Sequence, residues 1–119
     1  EVKGEYYLRN QVHYVMFEEH QEGFTEKTKS MLKIKKNSVE LTKKGLIHSH
    51  MFFEKQGVYA TEYKTPFGGF VMEIHTKQLV IEEASDEMRI EIEYALKSQE
   101  QPVADCHIQI KIKEKQSEG

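Results

Sequence analysis

His48 and His50 stand at i and i+2 around Ser49, with Glu54 following. In an extended chain that spacing projects both imidazoles from one face, which is how β proteins assemble many metal sites. Parity argues against it here. Ile47, Ser49, Met51 and Phe53 occupy the other face, uncharged throughout, and that face is the expected interior. The histidines and Glu54 then share the solvent side with Leu46 and Phe52. Cys106 and His107 would pair a nucleophile with a base, but adjacent strand residues point to opposite faces and cannot hydrogen-bond. Cys106 shares its face with Ala104, Ile108 and Ile110, so it reads as a core thiol. Lys33, Lys35, Lys36, Lys43 and Lys44 are cations that could meet phosphate. They alternate with apolar residues and lack stacking aromatics, the pattern of a solvated face.

The tyrosines carry more information. Tyr59, Tyr63 and Tyr94 fall on expected inward faces, together with Thr28, Ser30, Ser49, Thr61, Thr65 and Thr76. Uncharged polar groups inside a fold need partners, because each unsatisfied one costs about 1–3 kcal/mol. They satisfy one another, or they line a cavity that holds water or a ligand, as small barrels often do. The expected binding surface is Met51, Phe53, Tyr59, Tyr63, Met72 and Tyr94, apolar with a few hydroxyls and suited to a small amphipathic molecule.

The elements that must position these side chains are strands. Tyr63 to Thr76, YKTPFGGFVMEIHT, is the organising stretch. Tyr59, Thr61 and Tyr63 alternate against Glu62 and Lys64. Beyond the turn, Phe70, Met72, Ile74 and Thr76 alternate against Glu73, His75 and Lys77. Period two marks a half-buried strand. Between the runs, Pro66 fixes φ and the glycines tolerate φ > 0, so the chain turns with Phe67 at the tip. Further strands are expected over 5–9, 12–19, 25–35, 39–42, 46–54, 78–83, 88–96 and 104–113, with breaks at Gln21-Glu22-Gly23, Lys36-Asn37 and Ala84 to Glu87. That is about ten short strands at the spacing of all-β sandwiches and barrels. Short turns make the neighbours antiparallel, and a meander of this many strands closes into an up-and-down barrel.

Composition sets the remaining bounds. The 119 residues make one domain, expected over 1–114, with 115–119 a solvated tail. A hydrophobic content of 38% beside 31% charged residues suits strands with one wet face. The net charge of −3, with both signs interspersed, is no footprint for nucleic acid or anionic lipid. No apolar run has the length of a membrane span. A lone cysteine forms no internal disulfide, which makes the cytoplasm the expected compartment.

The run from Gly4 to about Glu114 resembles the YwiB-like family of small bacterial proteins of unknown function. The matching pieces are GEYYL at Gly4 to Leu8, the strand Tyr14 to Glu19, LKI at Leu32 to Ile34, and Gly45 followed by MFFE at Met51 to Glu54. YKTPFG at Tyr63 to Gly68, Thr76, and EYAL at Glu93 to Leu96 complete them. The resemblance implies a calycin-type β-barrel, similar to lipocalins or fatty-acid-binding proteins, and lends no reaction or ligand. Two departures stand out. Lys44, preceded by Lys43, stands where the family tends to have Arg, and lysine presents no planar fork to an anion. The family's first strand, ahead of GEYYL, is absent.

The resulting expectation is a non-enzymatic β-barrel that binds a small amphipathic or apolar ligand, with no cofactor. The alternative is a metal-dependent, cupin-like enzyme using His48 and His50, although the glycine spacings miss the cupin pattern. The chain opens on Glu1, almost directly into GEYYL, which suggests either a lost N-terminal element or a trimmed tail. A lost strand would leave the barrel open along one edge. A symmetric homodimer across that edge is then expected, covering Tyr6, Tyr7, Leu8, Leu46 and Phe52.

Overall fold

The computed structural model describes residues 3–20, 27–45, 47–99 and 101–113. The break at Gln21 to Gly23, Leu46 and the tail lie outside those residues. The described chain holds nine strands and no helix: β1 Gly4–Arg9, β2 Val12–His20, β3 Lys27–Ile34, β4 Ser38–Lys44, β5 Ser49–Glu54, β6 Val58–Thr65, β7 Gly68–Glu83, β8 Glu87–Ser98 and β9 Gln101–Lys113. No helix is long and apolar enough to cross a membrane among them.

Every strand pairing among the described residues is antiparallel, as the short turns require. Asn10 and Gln11 take φ of 51° and 65°, and Arg9 pairs with Val12, so a two-residue primed turn joins β1 to β2. Pro66 and Phe67 form the loop between β6 and β7, where Gly68 takes φ +129°. The Thr65 hydroxyl braces that loop, accepting from the Phe67 N–H at 3.1 Å and donating to the Gly68 carbonyl at 3.0 Å.

The strands form a five-stranded sheet, β1 to β5, and a four-stranded sheet, β6 to β9. One isolated bridge, His48 to Lys64, links them where β5 gives way to β6. The expected single closed barrel is corrected in this respect. Among the described residues β1 pairs only with β2, and β9 only with β8. The count of about ten strands is corrected as well. The expected runs 70–76 and 78–83 are one strand, β7, which stays extended through a register shift between Thr76 and Gln78. The extra residue, Lys77, flips the alternation, so that Ile74 and Thr76 before it and Leu79 after it all face the core.

The core lies between the two sheets. Met51, Phe53, Ile74, Ile90, Ile92 and Tyr94 are buried there, as the alternation requires, and Glu62, Lys77, Arg89, Glu91 and Glu93 are exposed. Ile47, Tyr63 and Met72 are half-buried, and so is Glu73. Phe70, expected inside, is 50% exposed. It pairs with Tyr63, but β7 gains its β8 partner only from Glu73 onward, so the end of the hairpin runs past the rest of its sheet.

Candidate functional site

Met51 and Phe53 project inward from β5, and both meet side chains of the opposite sheet. The Tyr63 hydroxyl donates to the Met51 sulfur at 3.3 Å. The Phe53 and Tyr94 rings lie 4.9 Å apart. Tyr94 is the ladder partner of Cys106. Burial raises the Tyr94 phenol well above the usual tyrosine range, and the Cys106 thiol beside it adds to the shift. Burial, then Cys106, raises Tyr63 in the same direction. Both therefore remain neutral phenols at ordinary pH, able to donate and accept hydrogen bonds without carrying charge.

These contacts bring Met51, Phe53, Tyr63 and Tyr94 of the expected binding set into one cluster. Met72 packs half-buried against the core beside them. Tyr59 goes elsewhere, to the seam between the sheets. Its hydroxyl lies 3.0 Å from His50 Nδ1, and His50 Nε2 lies 3.3 Å from Glu40. An ionised Glu40 only accepts, so in the neutral ring Nε2 donates to it and Nδ1 accepts a hydrogen bond from the Tyr59 O–H. Glu40, His50 and Tyr59 thus form a hydrogen-bonded chain from β4 across β5 to β6. The Thr61 hydroxyl donates to the His50 carbonyl and ties the same seam. Both His50 nitrogens are engaged, and His48 is exposed. Among the described residues, no group of three or more His, Cys, Asp or Glu side chains is placed to hold a metal ion.

Of the hydroxyls expected inside, Thr28, Ser30, Ser49, Thr61 and Thr76 are buried, whereas Thr65 is half-buried and bound to the β6–β7 loop. Ser30 Oγ and Thr76 Oγ1 have no hydrogen-bond partner. Each is an inward-facing polar atom held away from water, which a bound group with donor and acceptor atoms would satisfy. Two surface recesses are also present, the first reaching Phe70 at the hairpin end and the second Ile90. One of about 530 Å³ is lined by Ala60, Gly69, Val71 and Lys97, and another of about 450 Å³ by Glu82, Arg89, Glu91 and Gln109.

Sequence reasoning missed two features. Lys43 was grouped with the solvated lysines, but β4 register sets it opposite Ser30 on one side and Ser49 on the other, both buried. Its parity with Val39 and Leu41 was the available signal. The Glu40–His50–Tyr59 chain had none, since it depends on how two sheets meet.

The architecture is similar to the crystal structure of the ywiB protein from Bacillus subtilis, with a TM-score of 0.69 and 22% sequence identity. The likeness covers 79% of this chain and 65% of that one, so the chain spans about two thirds of the length of this solved neighbour. At that identity the likeness shows the fold alone. No curated protein matches the sequence. The family model described as a domain of unknown function, DUF1934, matches residues 1–110, and this chain belongs to that family, in keeping with its resemblance to YwiB-like proteins.

Proposed function

We propose that the protein is a binding module that takes a small amphipathic molecule between its two sheets, which together make an incomplete calycin-type barrel. The observation that carries this reading is the pair of partnerless buried hydroxyls, Ser30 Oγ on one sheet and Thr76 Oγ1 on the other, where it shares its face with Tyr63 and Tyr94. An interior built only to be filled gains from apolar side chains at such places. At the hairpin end of the interior, Phe17, Tyr63 and Met72 are only half-buried and Phe70 is exposed, so apolar side chains face inward without full cover. Neutral phenols suit a ligand held by hydrogen bonds and apolar contact.

Native mass spectrometry of freshly purified protein tests this. A non-covalent small-molecule adduct that disappears on denaturation is the expected result. Bare protein in every preparation, with no enhancement of 1-anilinonaphthalene-8-sulfonate fluorescence, would make the barrel a filled structural one.

We further infer a symmetric homodimer through the open edges. Tyr6, Tyr7 and Leu8 on β1 are exposed, and Ile108, Ile110 and Ile112 on β9 are only partly buried. A second copy would cover this apolar surface and extend the ladders, and a two-fold contact closes on itself. The single free thiol, Cys106, supports a reducing compartment, the cytoplasm.

A further inference from the structure

Across the five-stranded sheet the residues fall into ranks set by register. Phe17 pairs with Ser30, Ser30 with Lys43, and Lys43 with Ser49. Directly opposed strand residues stand on the same face about 5 Å apart, so these side chains form one line across the inward surface. The next rank, Val15, Leu32, Leu41 and Met51, is wholly apolar, and the one after it sets His13 at the β2 end of Ile34, Val39 and Phe53. One rank therefore holds an ammonium between two hydroxyls, and beyond it the inward face of this sheet is apolar apart from His13 at its β2 end.

Ser30 and Ser49 are 3% and 8% exposed, and Ser30 Oγ has no partner. Lys43 reaches Glu19 at 3.9 Å, at the outer limit of an ion pair, with both side chains over a third exposed or nearly so. That pair is weak by its distance and its access to water. Facing this rank across the interior is the hairpin end of the other sheet. Tyr63 spans the gap to Met51, and Phe70 and Met72 stand beside it without full cover.

We propose that Ser30, Lys43 and Ser49 form an anion subsite that takes the carboxylate head of an amphipathic ligand, with its apolar part against Phe17, Tyr63, Phe70 and Met72. This rests on the binding reading above and names the ligand class. The carboxylate takes the place of Glu19 on Lys43 and gives the Ser30 hydroxyl the acceptor it lacks. Charge decides against a phosphate head. One ammonium balances one negative charge, and a dianion beside Glu19 would leave excess negative charge near a low-dielectric interior. A neutral head would offer Ser30 an acceptor but leave the weakly paired ammonium without a counter-charge of its own.

The test uses the full chain and two fluorescent probes of equal length, cis-parinaric acid and its alcohol. The acid is expected to bind about tenfold more tightly than the alcohol, the size of one charge-assisted contact. Lys43→Met should bring the acid down to the alcohol's affinity and leave the alcohol unchanged. Lys43→Arg should keep the preference, and Glu19→Gln should strengthen the acid by removing its competitor. Circular dichroism of each variant shows that it is folded. Acid and alcohol binding alike, or a preference that survives Lys43→Met, would overturn the subsite and leave the binding reading standing. Dodecyl phosphate displacing the probe better than dodecanoate would overturn the carboxylate assignment. If neither probe binds, the binding reading falls and the subsite with it.

Discussion

The Phe53 ring lies 4.9 Å from the Tyr94 ring, tilted by 58°, and this contact joins the five-stranded sheet to the four-stranded one. Phe53 has no exposed surface and Tyr94 is 7% exposed. Because the two sheets share one isolated bridge among the described residues, side-chain contacts of this kind hold the layers together. Phe53→Ala is expected to cost about 3–5 kcal/mol, the usual range for a large aromatic truncated in a core. The urea midpoint reads this directly. An unchanged midpoint would mean that the ring is not part of the core.

Thr76 gives the opposite kind of prediction. Its hydroxyl is buried opposite Tyr94 with no partner, a cost that an isosteric apolar side chain removes. Thr76→Val should hold stability or raise it by up to about 1 kcal/mol. A clear fall in the urea midpoint would show that the hydroxyl is satisfied.

Lys77 is the extra residue of the β7 bulge, and its ammonium contacts Asp105 at 3.0 Å on the surface. Lys77→Ala should change stability by no more than about 0.5 kcal/mol, as exposed substitutions do. Deleting Lys77 is a different change. It would turn Leu79 and Ile81 outward, because a one-residue slip inverts every side chain beyond it. Loss of cooperative urea unfolding is expected for the deletion, and a folded protein of ordinary stability would refute the bulge.

Alkali should destabilise the fold through its interior phenols. Tyr63 and Tyr94 titrate above the unfolded value, because burial disfavours the phenolate. Their contribution is fully present below the unfolded tyrosine pKa, near 10, and is lost as pH rises through the folded values. Absorbance at the phenolate band should show these two tyrosines ionising only above the ordinary tyrosine range. Substituting both by Phe should flatten the loss of stability above that pH.

Sedimentation equilibrium at several concentrations checks the inferred dimer. The expected species has twice the mass of the 14.0 kDa chain. Charge placed on the exposed edge, as in Leu8→Lys, should shift it to monomer without changing the circular dichroism. A monomer at every concentration would refute the dimer.

The period-two alternation by itself determined which face of most strands lies inside. Side chains leave a pleated backbone on opposite faces whatever the strand packs against, so Met51 and Phe53, or Ile90 and Ile92, declare their side locally. The tight turns at Asn10-Gln11 and Pro66-Phe67 were legible for a similar reason, since they are set by a few neighbouring residues. Tertiary structure decided the rest. The break read at Lys77 is a bulge because Leu79 and Ile81 gain more by staying on the core side than the ladder loses at one residue. Whether the strands close into one barrel depends on what lies beside β1 and β9, and no local pattern carries that. Phe70 alternates like a core residue yet stands exposed, because β8 does not reach it. Lys43 became part of the candidate site, and Tyr59 left it for His50, through contacts between strands distant in sequence. Those placements follow from register and sheet-on-sheet packing, which the whole chain fixes together.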